Sequence, residues 1–202
     1  MMSGEAWFQA MLFGVAAVCA VALLLGVRTR AATIASWLLL ASLHARNPHL
    51  LQAGDTLLRL FLFWGIFLPL GAAFSVDRVL ARSDSRPATR VRTVPAVALL
   101  VQVILVYLTT ALYKLHPTWV PEGRAVQHAL QLEHYSTPMG VWLLKFPESL
   151  RVATYGTLLL EFVAPLLLFA PFAAARVRVP LVATFIAFHA SCVVFMKLGP
   201  FP

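Results

Sequence analysis

Residues 94–113 contain no Asp, Glu, Lys or Arg. A run of about 20 apolar residues is what an α-helix needs to cross the roughly 30 Å hydrocarbon core of a bilayer. Five more apolar stretches resemble it: 7–26, 31–43, 56–74, 152–172 and 179–196. The second is short for a span, and the third carries Arg59. Composition supports the same conclusion. The 202-residue chain is 60% hydrophobic and 12% charged, whereas soluble domains are roughly half apolar and a quarter charged. Lipid must cover the excess. The expected fold is an all-α, polytopic transmembrane helix bundle of about six spans, forming one domain over residues 1–202.

The formal charge of +8 does not point to nucleic acid, because the basic residues sit in short loops between apolar runs. Their expected partner is the lipid bilayer, through its anionic cytoplasmic leaflet. Loops 27–31, 75–93 and 173–178 hold Arg28, Arg30, Arg78, Arg82, Arg86, Arg90, Arg92, Arg176 and Arg178. The alternating loops, 44–55 and 114–150, hold Arg46, Lys114, Arg124 and Lys145, mixed with acids. The Arg-rich set is therefore expected to be cytoplasmic, with both termini of a multi-pass cell-membrane protein outside. His44, His49, His116, His128 and His134 then lie on the outer side. A cleavable signal peptide is not expected, since residues 1–6 carry Glu5 and no Lys or Arg. Cys19 and Cys192 lie far apart in apolar runs, so neither thiol redox chemistry nor a structural zinc is expected. The histidines also lack metal-ligand spacing.

The connection 114–150 is punctuated by Pro117, Pro121, Pro138 and Pro147. It predicts a short helix from Pro121 through Glu133 and an interfacial piece at 141–144.

Ionisable groups inside a bilayer are costly and face a bundle interior or a cavity. Four stand out. Arg59 reads as a snorkelling side chain paired with Asp55, four residues earlier. Lys114 ends its span, either as an interfacial anchor or as a lysine kept partly neutral by desolvation and so able to act as a base. Glu161, near the middle of the fifth span, is either protonated or paired with Arg59 or Lys114. His189 is a helix–helix hydrogen-bonding group, a proton carrier or a ligand.

Two stretches resemble the HTTM (horizontally transferred transmembrane) family, whose membrane module is shared with vitamin K-dependent gamma-carboxylases. One is Arg46-Asn47-Pro48-His49 through Gly54-Asp55 and Leu57-Leu58-Arg59, continuing to Phe67-Leu68-Pro69 and Ser75-Val76-Asp77-Arg78. The other, more specific, is Val106 through Trp119, with Tyr113-Lys114-Leu115-His116-Pro117-Thr118-Trp119 at its end and Gly123 and Ala125 after it. Leu160-Glu161 and Phe188-His189 also fit the later helices of the family.

The resemblance implies that Lys114 is a base acting on vitamin K hydroquinone or another reduced quinone at the outer face. It implies supporting roles for His189 and Glu161. Arg59, His116 and Trp119 are the expected cofactor contacts. The large lumenal domain of the carboxylases has no counterpart here, so the chain is expected to be a fragment or a minimal member. Two functions follow. One is a quinone-linked membrane enzyme of carboxylase-epoxidase type. The other is a non-enzymatic partner for maturation or export of a secreted peptide, docking on 114–150, as some bacterial relatives are linked to secreted peptides.

Overall fold

The computed structural model describes residues 5–46, 51–81, 93–169 and 175–198. The expectations for Asn47, Pro48, His49, Arg82, Arg86, Arg90 and Arg92 lie outside the described residues. Met1–Leu99 and Leu100–Pro202 form two compact units, and the division falls inside one helix.

In the first unit, α1 (Ala6–Leu25) and α2 (Thr29–Arg46) are joined by a tight turn, and α3 (Ala53–Gly65) packs on α2. The turn needs Gly26 at φ 68°, the left-handed conformation that ends helices most cheaply at glycine. A short 3-10 helix (Leu70–Ala72) and α4 (Val76–Leu80) follow. Asp77 of α4 caps α2 from outside. Its carboxylate accepts from the Arg28 and Thr29 amides and the Thr29 hydroxyl, each at 2.7 Å. Its own amide donates to Gly26 O at 2.9 Å. Orphan amides of a helix N-terminus are a good site for a carboxylate. The Thr29 amide, then the Thr29 hydroxyl, hold the Asp77 carboxyl below the usual aspartate range.

Several expectations for this unit are corrected. The second helix is Thr29–Arg46, not 31–43, and it takes in His44, which is buried rather than placed in a polar loop. The third ends at Gly65 instead of continuing to Phe74. Pro69 has no N–H to carry the ladder on to Gly65, and Leu68 donates to the Gly65 carbonyl instead, at 3.2 Å. Asp55 does not turn to Arg59. It closes a capping box, accepting from the Gln52 amide at 2.9 Å while the Gln52 side chain accepts from the third helical residue.

In the second unit, the long helices are α5 (Val94–Tyr113), α8 (Pro147–Phe169) and α9 (Ala175–Phe195), with two short helices, α6 (Ala125–Gln131) and α7 (Pro138–Leu143), between α5 and α8. The helix predicted from Pro121 starts only at Ala125. Gly123 at φ 68° breaks it, and residues 122 and 124 bond back to the Pro117 and Thr118 carbonyls. The interfacial piece at 141–144 is the end of α7, whose first turn is capped by the Thr137 hydroxyl. α6 packs on α8, and α7 and α8 pack on α9.

Among the described residues, four helices are long and apolar enough to cross a membrane: α1, α5, α8 and α9. The expected count of about six is therefore not reached. α2 has the length but carries Arg30, Thr33, Ser36, Ser42, His44 and Arg46. α3, at 13 residues, is about 20 Å long, short of the hydrocarbon core.

Candidate functional site

The buried stripe of α8 is made by Leu150, Thr154, Glu161, Ala164 and Pro165. Their spacings of four, seven, three and one put them on one helical face. That face explains how a carboxylate comes to lie 4% exposed inside a membrane helix. Thr154 returns its hydroxyl to the Leu150 carbonyl at 2.8 Å and accepts from the Val126 amide at 3.3 Å, which ties α6 to α8. Pro165, inside α8, has no N–H to give to the Glu161 carbonyl four residues earlier.

Glu161 is met by Lys114, the residue just after α5. The Lys114 ammonium sits 2.5 and 2.6 Å from the two carboxylate oxygens. The side chains are 20% and 5% exposed respectively. Of the two partners the sequence left open for Glu161, Lys114 is the one used. Arg59 lies on α3, in the other unit. Glu161 also sits differently from the expectation of mid-span. It follows the start of α8 by fourteen residues, about 21 Å, and is level with the end of α5. The N-terminal half of α8 therefore extends past the pair, flanked by the 114–131 segment. Tyr155 Oη donates to the Pro121 carbonyl at 2.5 Å there.

The chain after Lys114 turns sharply. The Trp119 amide bonds to the His116 carbonyl at 2.8 Å. The turn brings the Trp119 ring back over the Lys114 ammonium, 4.9 Å from its centroid. A cation over an indole face is attracted by the ring quadrupole. His116 is exposed, and its Nδ1 lies 3.0 Å from the Thr118 hydroxyl. The sequence therefore named Lys114, Glu161 and Trp119, which the fold brings together, and His116, which it places on the adjoining turn.

His189 lies on α9. Its Nε2 is 2.9 Å from the Tyr107 hydroxyl on α5, a hydrogen bond between the two helices. Tyr107 stacks on Phe185, ring centroids 4.5 Å apart. Tyr107 was not singled out from the sequence. The usable signal was spacing: it precedes Lys114 by seven residues, two turns on the same face. Cys192, three residues after His189, lies within electrostatic reach of both Lys114 and Glu161. Among the described residues no group of three or more His, Cys, Asp and Glu could hold a metal ion.

Long apolar helices, with an ion pair and a Tyr–His hydrogen bond held among α5, α8 and α9, mark an integral membrane protein. A comparison with family profiles gives the particular family. The HTTM domain matches residues 2–202, and the chain belongs to that family. No curated protein and no solved structure matches it.

Proposed function

We propose that the protein is a membrane-embedded enzyme that removes a proton from a lipid-soluble substrate at the outer end of α5, with Lys114 as base. The Lys114–Glu161 contact carries the reading. Across 2.5 Å the ammonium proton can pass to the carboxylate, leaving Nζ with the lone pair a base needs. Lys114 is the more exposed partner and can meet substrate. Glu161, 5% exposed at its side chain, serves as the proton store. Tyr107 and His189 fix α5 against α9 and are positioning residues.

The group this family resemblance implies is a reduced quinone, such as vitamin K hydroquinone, which would supply an acidic hydroxyl. The residues fit such a group. Trp119 offers an aromatic face beside the base, and a half-buried lysine in an apolar surround suits an uncharged, flat molecule. General bases act within hydrogen-bond reach of the proton they take. The test supplies purified protein with reduced quinone and oxygen and measures epoxide. Lys114→Arg preserves the charge pair but is a far poorer base, because arginine does not deprotonate in proteins. Turnover is expected to vanish in Lys114→Arg; wild-type turnover in that variant refutes the reading.

The outer placement rests on the arginine-rich loops. It does not depend on whether α2 and α3 cross: the two are consecutive, so α1, α5, α8 and α9 keep their directions either way. Both termini then remain extracytoplasmic.

A second reading rests on the surface of the 114–150 connection, where Met139, Val141, Trp142 and Phe146 are 44–55% exposed. Such an apolar face suits a docked secreted peptide. If Lys114→Ala keeps full biological activity while deletions within 121–150 abolish it, a non-enzymatic partner role replaces the enzyme.

A further inference from the structure

The first unit holds a separate feature. α1, α2 and α3 line a cavity of about 260 Å³. Its walls come from α1 between Gln9 and Ala20 and from α2 between Ser36 and Arg46, with Leu58 and Leu62 of α3 closing one side. The two helices run in opposite directions, so Gln9 and Arg46 share one end. At 1.5 Å per residue the walls extend about 15 Å along the helices. Most of the lining is hydrocarbon, including Leu12, Phe13, Leu39, Leu40 and Leu43.

A cavity with such walls stays dry and takes apolar matter rather than water or a polar solute. Walls that run about 15 Å along the helices suit a chain. A lipid chain leaving the bilayer for this cavity gains nothing from the hydrophobic effect, since lipid tails are already as apolar as leucine. Any preference among lipids must therefore come from the end of the cavity. That end carries Arg46, exposed, in the last turn of α2, and without an ion-pair partner among the described residues. A guanidinium presents a planar fork of donors that matches a phosphate.

We propose that this cavity holds one acyl chain of an anionic phospholipid of the outer leaflet, with Arg46 on its phosphate. The site is independent of the Lys114–Glu161 pair. Its occupant is recognised by charge at Arg46 and by length along α1 and α2. The acyl chain adds to the packing that α1 and α3 already give α2.

The test uses the full chain in mild detergent. Phosphatidylglycerol and phosphatidylcholine with identical acyl chains are added at equal concentration, and bound lipid is counted by native mass spectrometry. One phosphatidylglycerol is expected, retained about tenfold over phosphatidylcholine, a difference of ~1.4 kcal/mol. Arg46→Gln is expected to bring the ratio to about one. Arg30→Gln removes the same charge from the other end of α2, outside the cavity, and is expected to leave the ratio unchanged. Leu40→Trp fills the cavity and is expected to reduce phosphatidylglycerol retention several-fold. Equal retention of the two lipids by the wild-type protein overturns the proposal. So does an equal loss in the Arg30 and Arg46 variants, or undiminished binding in Leu40→Trp.

Discussion

Replacing Lys114 by Met strands the Glu161 carboxylate. Glu161 is 4% exposed, and its short side chain cannot carry the charge out to water. Breaking a buried ion pair by removing one partner costs about 3–5 kcal/mol. The reverse change, Glu161→Leu, is milder. Lys114 keeps 20% of its side chain exposed, stays near Trp119 and has a long stem with which to reach polar surroundings. A cost of about 1–3 kcal/mol is expected there, the range for a polar group left without its partner. The double variant Lys114→Met/Glu161→Leu replaces both charges with hydrocarbon of similar size. Such replacements are often neutral or stabilising, so the double variant should lie within about 1 kcal/mol of the wild type on the same scale. The cycle then yields a coupling of about 3 kcal/mol or more, at or above the upper range measured for residues in contact. Reversible unfolding in mixed micelles, followed by tryptophan fluorescence, gives all four stabilities. If the double variant is destabilised by the sum of the two single changes, the groups do not act as a pair and the site as described fails.

Three further outcomes follow from other contacts. Asp77 is held below its ordinary range by Thr29, so its stabilising contribution is present above the unfolded aspartate value and lost as pH falls through the lower folded value. Thermal unfolding followed from neutral to acid pH should show this loss in the wild type and not in Asp77→Asn, whose stability is already reduced at neutral pH. A side chain at Gly140 would collide with the Phe195 carbonyl and the Ser136 hydroxyl. Gly140→Ala should therefore lower stability by about 1–3 kcal/mol, whereas Gly156→Ala, with open space around it, should raise stability by about 0.5–1 kcal/mol; both are read by the same unfolding assay. Tyr107→Phe removes the partner of His189 and should cost about 1 kcal/mol, with the His189 ring resonances broadened in nuclear magnetic resonance spectra if the bond orders that ring.

Much of this architecture is legible in the sequence. The α5 boundaries at Val94 and Tyr113 follow from charge-free sequence alone. Lys114, Glu161 and His189 drew notice because ionisable groups are expensive in a bilayer. The choice of Lys114 over Arg59 as the partner of Glu161 was not legible, because Lys114 and Glu161 are 47 residues apart and periodicity orders faces only within one helix. Tyr107 escaped notice because a tyrosine in an apolar run is unremarkable until a histidine from another helix meets it. The α2 boundaries failed because Thr29 and Arg30 at its start and His44 and Arg46 at its end are polar, so hydropathy stopped short at both ends and left His44 outside. Asp77 read as part of a polar loop. Its role depends on the orphan amides of a helix that starts 48 residues earlier, which no local pattern reveals.

The end of α9 has a mechanical meaning. The Thr137 hydroxyl donates to the Val194 carbonyl at 2.7 Å, and the Thr137 amide donates to Phe195 O at 3.2 Å. The Lys197 amide returns to the Tyr135 carbonyl at 2.7 Å, and Ser136 bridges Met196. The tail of the last helix is thus stitched to the segment that leads into α7. A displacement of that segment pulls on the same helix that carries His189 and Cys192. Anything that lands on the 132–146 surface would be felt as a tug on α9, two turns from the Tyr107–His189 bond.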